Sequence, residues 1–252
     1  MKKHNIIAMA LTSLMALPVI AQDSTPAVGD ILQGINMFTP EEGDPAYKVK
    51  VNEKYGTQWG VDMAYGLWNT EKVSDVKRHN NLALLHAQLN QRLIEDKANG
   101  GTWLRVEFSG SWGLDRESAQ SDTFFTEAYA TASGLHADAM GPHEGIFPEV
   151  ALMQYFAGKR ACLIAGMVNL TNYFDAVSIA NDSFSSFTND GFVNSTILPL
   201  VDSNIGGILQ VELNRNNYMM VAVSRTGCDS GYNPFNSDYC DGYAVVGEYG
   251  HI

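Results

Sequence analysis

Apolar and polar residues alternate with a period of two along much of this chain. Trp59, Val61, Met63, Tyr65 and Leu67 interleave with Gly60, Asp62, Ala64 and Gly66, which predicts a strand with one apolar face. Residues 102–112 carry the clearest pattern: Leu104, Val106, Phe108 and Trp112 against Arg105, Glu107, Ser109 and Ser111. Residues 205–214 repeat it, setting Leu209, Val211 and Leu213 against Gln210, Glu212 and Asn214. Further strands are expected at 124–130, 147–157, 161–169, 217–225 and 242–250. Residues 82–93 read both ways, because Leu85, Ala87 and Leu89 alternate with polar residues while Leu82, Leu85, Leu89 and Leu93 also fit a helical stripe. The segment is expected to be a strand followed by a short helical turn at 94–98, with Gly100-Gly101 forcing a reversal. The count reaches about nine antiparallel strands, an all-β fold.

The connections alternate in length. Short turns at 158–159 and 215–216 take turns with long polar segments at 131–145, 173–203 and 226–241. Short turns at one end and long loops at the other are the asymmetry of an outer-membrane barrel. In such a barrel the apolar face meets lipid and the ionic face a wet lumen, whereas in a soluble sandwich the apolar face is the core. The pattern of one strand does not separate the two.

The N-terminus adds an export expectation. Lys2 and Lys3 precede an apolar run from Ile6 to Ile20, and Val19-Ile20-Ala21 offers a cleavage site before Gln22. Residues 1–21 therefore read as a cleaved secretory signal, too short for a spanning helix. Residues 22–54, rich in Asp, Pro, Gly and Thr, read as a flexible N-terminal extension, and 55–252 as the barrel domain. The formal net charge is −12, and without Lys2 and Lys3 there remain 14 basic against 28 acidic groups. That balance disfavours nucleic acid as a partner. Of three cysteines, Cys228 and Cys240 bracket a turn-rich segment and are the disulfide candidates in an oxidising compartment. Cys162 reads as a small buried or lipid-facing side chain within a strand. No His/Cys spacing suggests a zinc site, no serine or cysteine motif suggests a nucleophile, and neither metal nor cofactor is expected. A pair of carboxylates on facing strands would suit glycoside hydrolysis, but among 28 acidic residues such a pairing arises by chance.

One segment is more specific. Asn169-Leu-Thr-Asn-Tyr-Phe-Asp175 runs on through Ala180-Asn181-Asp182, Phe187 and Asp190-Gly-Phe-Val-Asn194 to Pro199. It resembles the carbohydrate-selective OprB-type porins at Asn169, Phe174, Asp175, Asn181, Asp182, Phe192 and Asn194. The resemblance is strongest at about 163–199 and extends more loosely over 102–249. It implies an antiparallel transmembrane β-barrel of outer-membrane porin type, of about sixteen strands and usually trimeric, that passes small saccharides by diffusion. With about eight to ten strands present, and an end at Ile252 where an aromatic residue is expected, the chain reads as the N-terminal portion of such a porin, an incomplete barrel.

The chemistry a saccharide pore needs is modest. Carboxylates, amides and guanidinium groups replace the hydration of sugar hydroxyls, and aromatic faces stack on the sugar ring. Arg105, Glu107, Gln210 and Glu212 suit the first task, and Tyr173 and Phe174 the second if their loop folds into the lumen. Paired Arg and Glu ladders also hold a barrel wall together, and loop aromatics also pack their own loop. Two other functions fit the same pattern: a structural or adhesive barrel whose loops bind partners, and a secreted β-sandwich that binds glycans.

Overall fold

A computed structural model describes residues 45–69, 79–114, 143–174, 203–226 and 242–251. They form one sheet of eight antiparallel strands, each hydrogen-bonded to its neighbours in sequence. The strands are β1 (Thr57–Asn69), β2 (His79–Ile94), β3 (Thr102–Gly113), β4 (His143–Phe156), β5 (Ala161–Val168), β6 (Asn204–Asn214), β7 (Asn217–Thr226) and β8 (Gly242–His251). The strand expected at 124–130 lies outside the described residues. No described helix is long and apolar enough to cross a membrane, which says nothing about crossing by strands.

The ambiguous stretch after residue 80 is strand, because both of its edges are taken. β2 pairs along its length with β1 and with β3, and two ladders of backbone bonds outweigh a leucine stripe with no partner helix. The expected reversal follows it. Asp96 accepts from the amides of Ala98 and Asn99 at 3.0 and 3.1 Å, and the Gly100 amide closes the turn on the Asp96 carbonyl at 2.6 Å. Gly101 then sits at φ 80°, where a Cβ would collide with the Ile94 carbonyl. Only glycine fits both requirements.

The extension expected through residue 54 is corrected at its end. A helix α1 occupies Ala46–Tyr55, stopped by Gly56 in the left-handed conformation with its amide on the Asn52 carbonyl at 2.7 Å. α1 buries none of its residues. Lys48 Nζ lies 4.8 Å from the centre of the Trp59 ring, and the Tyr47 ring 6.4 Å from it, tying the helix to the start of β1.

Alternation gives the sheet two unlike faces. One face is open and apolar. It carries Trp59, Val61, Met63, Tyr65 and Leu67 from β1, Leu152 from β4, Leu163 from β5, Leu209 and Leu213 from β6, Val221 and Val223 from β7, and Tyr243, Val245 and Tyr249 from β8, all exposed. Its aromatic residues gather toward the two ends of the strands. Trp59, Phe156 and Tyr249 lie toward the short-turn end, and Tyr65, Phe108, Trp112, Phe147 and Tyr243 toward the other. Phe108 stacks on Trp112 at 6.4 Å and meets Phe147 edge-on at 5.4 Å. Between Tyr243 and Tyr249 the strand advances roughly 20 Å.

The other face is covered. Its rows of side chains run across the strands in register. The apolar row is Met153, Ile164, Ile208, Ala222 and Val246. Leu170, Tyr173 and Phe174 pack on this row from a short turn of 3-10 helix at Leu170–Asn172. Polar residues occupy the covered face on both sides of the apolar row.

Candidate functional site

The polar cluster nearer the long-loop end is assembled from β2, β3, β4 and the segment after β5. Register places Glu107 directly opposite Glu149, and two carboxylates so placed repel each other. Four neighbours offset the repulsion. His86 Nε2 lies 2.9 Å from Glu107 Oε1. The Asn172 amide donates to both acids, at 2.8 Å to Glu107 Oε2 and 3.1 Å to Glu149 Oε2. The Arg105 Nε stands 3.4 Å from Glu149 Oε2, and the Tyr173 hydroxyl donates to Glu149 Oε1. The Gln88 amide, oriented with its oxygen toward the guanidinium, accepts from Arg105 Nε at 3.1 Å. The Arg105 guanidinium also lies 5.7 Å from the centre of the Tyr173 ring. All four carboxylate oxygens thus face protein donors. The facing pair works as a clamp that fastens residues 170–174 to the sheet.

The cluster nearer the short turns belongs to β4 to β8. Gln210 pairs with Cys162 on one side and Met220 on the other, and Glu212 with Tyr218. Gln210 Nε2 donates to Met220 Sδ at 3.2 Å, and the Tyr218 hydroxyl donates to Glu248 Oε1 at 2.5 Å. Cys162 is buried on the covered face and is a free thiol.

The six side chains expected to line a lumen all lie on the covered face, but in two groups. Arg105, Glu107, Tyr173 and Phe174 come together in or beside the clamp, while Gln210 and Glu212 form a separate pair beyond the apolar row. For Tyr173 and Phe174 the expected role is corrected. Phe174 is 1% and Tyr173 4% exposed, so neither presents an open ring for a sugar to stack on. They pack their own segment against the sheet.

Among the family-like positions, Asn169 caps the 3-10 turn, accepting from the Thr171 amide and hydroxyl at 3.2 and 2.7 Å. Asp175, Asn181, Asp182, Phe192 and Asn194 lie outside the described residues, as do Cys228 and Cys240. His86, Gln88, Glu149 and Asn172 join the clamp, although the sequence pattern does not single them out. Glu149 carries a readable signal, since it alternates with Val150 and Leu152. His86 and Gln88 carry the same signal, alternating with Leu85, Ala87 and Leu89, and Asn172 lies within the family-like segment, but that these residues meet depends on strand pairing. Among the described residues no group of His, Cys, Asp and Glu is arranged to hold a metal ion.

No family model matches the chain. No solved structure matches it either. A stretch of 68 residues is 37% identical to an uncharacterized protein of Aquifex aeolicus (strain VF5), covering 26% of this chain. The chain spans 22% of the length of that relative.

Proposed function

We propose that this chain forms wall of an outer-membrane β-barrel through which small saccharides diffuse. The observation that carries the reading is the contrast of the two faces: the open face is apolar across all eight strands, and the covered face holds the ionic and amide groups on both sides of its apolar row. An apolar surface of this extent is far larger than soluble monomers expose. Its aromatic residues, gathered toward the two ends of the strands, correspond to the girdles that flank the lipid-facing band of such barrels, about 25 Å tall. Strands of 8 to 16 residues suit a tilted crossing.

The saccharide assignment is supported by the resemblance at 169–199 and by the chemistry of the covered face, whose carboxylates and amides exchange hydrogen bonds with hydroxyls. The signal-like N-terminus supports export to the outer membrane, and assembly as a homo-oligomer, a trimer in the family it resembles, belongs to the same proposal. Residues 170–174, clamped to the inner wall, would narrow the passage.

The burial of the covered face favours a second reading. Arg105, Glu107, Gln210 and Glu212 are at most 7% exposed, as in a barrel whose interior is filled and whose loops do the work of adhesion. Swelling of liposomes that contain the refolded chain separates the readings. The pore admits glucose and maltose faster than larger oligosaccharides. A filled barrel inserts but admits no sugar of any size.

A further inference from the structure

Helix α1 stands at the short-turn end of the sheet. It has 10 residues and buries none of them, and a helix of that length is marginal in water without an outside partner. Its C-terminal end is pinned to β2. The Tyr55 carbonyl accepts from the Gln91 side chain at 3.0 Å, and the Gly56 carbonyl from the Arg92 amide at 2.8 Å. Its first turn meets Trp59, an open-face residue, through Tyr47 and Lys48. α1 therefore lies at the rim of the open apolar face.

Tyr47, Val51 and Tyr55 are spaced by four and share one side of α1, while the purely apolar Ala46, Val49 and Val51 are spread around it. Tyr47 is 55% and Tyr55 58% exposed. Lys50 and Lys54 border the tyrosine side on one flank and Lys48 on the other, and Glu53 lies opposite. The cations continue beyond the helix. Each short turn has an exposed one: Lys97 after β2, Lys159 after β4 and Arg215 after β6. Among the described residues, every lysine and arginine except Arg105 and Arg225 lies at this end. The acids of these turns are engaged, Glu95 standing 4.0 Å from Arg92 and Asp96 accepting from its own turn. In a chain of formal net charge −12, this end is a local basic surface.

We propose that α1 docks on the headgroup layer of an anionic phospholipid bilayer, with its tyrosine side in the layer and Lys50 and Lys54 on the lipid phosphates. Tyrosine rings settle at headgroup depth, and lysines reach from there to the charged surface. A helix that joins exposed aromatic rings to lysines lies in the plane of such an interface. An acidic protein would answer the lysines, but not two bare tyrosines continuous with an apolar face. The docking rests on the lipid-facing reading of the open face and adds to it a preference for lipid charge.

Hydrogen exchange of the full refolded chain tests it, read by mass spectrometry on peptides from α1 in phosphatidylcholine vesicles with and without phosphatidylglycerol. Retention on the vesicles through an alkaline wash reads insertion of the sheet in the same samples. Insertion is expected in both lipids, and slow exchange of α1 only where phosphatidylglycerol is present. Each lysine near an anionic surface contributes about a fivefold preference. Lys50→Gln combined with Lys54→Gln should therefore speed α1 exchange there by more than about tenfold. Those two changes leave Lys48 on Trp59. Lys50→Arg with Lys54→Arg should keep the exchange slow, and raised salt should speed it by screening.

Equal α1 exchange in the two lipids, slow exchange that survives the glutamine pair, or slow exchange in phosphatidylcholine alone that grows with protein concentration, the mark of a second copy, would each overturn the docking. A sheet that inserts while α1 ignores lipid charge counts against the docking alone. An α1 slowed by phosphatidylglycerol on a chain that the alkaline wash strips off counts against the membrane wall alone.

Discussion

Asn172 donates to two acids that would otherwise repel each other, and Arg105 supplies the positive charge between them. Taking away the cation leaves Glu149, 0% exposed, with the hydrogen bonds of Asn172 and Tyr173 but no opposite charge beside it. Arg105→Met should therefore lower stability by about 3–5 kcal/mol in urea unfolding of the refolded chain. A change within about 0.5 kcal/mol would mean that the cluster is solvated surface. In the turn after β2, the Asn99 side chain and the Ala98 and Asn99 amides hold the Asp96 carboxyl below its ordinary value. Because the folded value is the lower one, the stabilisation is present above the unfolded value of about 3.9 and is lost as pH falls through the folded value. A carboxyl titration followed by NMR should place the Asp96 midpoint below that unfolded value, and Asn99→Ala should move it back up. At this scale the sequence is informative about direction and silent about partners. Period two puts Arg105, Glu107, Gln210 and Glu212 on one side, where they are found. It does not reveal that Glu107 meets Glu149, because that contact depends on the register between β3 and β4.

Along β7, the open-face residues Met219, Val221 and Val223 alternate with the covered Met220, Ala222 and Ser224. Val221 lies at the middle of the strand, the level of the bilayer centre in the proposed wall. Val221→Arg should cost about 2–4 kcal/mol for the chain folded into lipid. In a soluble sheet an exposed valine tolerates arginine within about 0.5 kcal/mol, so a null result counts against the membrane wall. β1, β3 and β6 are legible from alternation, β2 from alternation together with the Gly100-Gly101 reversal after it, and β4, β5, β7 and β8 as short apolar segments between turn signals. α1 is not. Its apolar residues form no stripe, and its definition comes from Pro45 before it and Gly56 after it rather than from a buried face.

The whole sheet has two ends of different character. Turns of a few residues join β2 to β3, β4 to β5 and β6 to β7, and long connections join the other ends. This asymmetry is legible in the spacing of the alternating segments alone, and it favours a barrel over a sandwich. Among the described residues β1 and β8 are not paired with each other. Open-face side chains on these edge strands are the barest of all, with Met63 82%, Tyr243 75% and Val245 72% exposed. A bare strand edge in hydrocarbon leaves backbone groups unsatisfied, so the proposed wall is completed by further pairing in the membrane. Closure is beyond the reach of sequence, since alternation reports which face a residue takes and not which strand lies at the next edge. Single-channel conductance of the refolded chain in planar bilayers, with and without maltose, measures closure and saccharide passage together. A saccharide-passing barrel gives discrete steps that maltose reduces. A chain that keeps its strands, stays monomeric in water without detergent and gives no steps in the bilayer would contradict it.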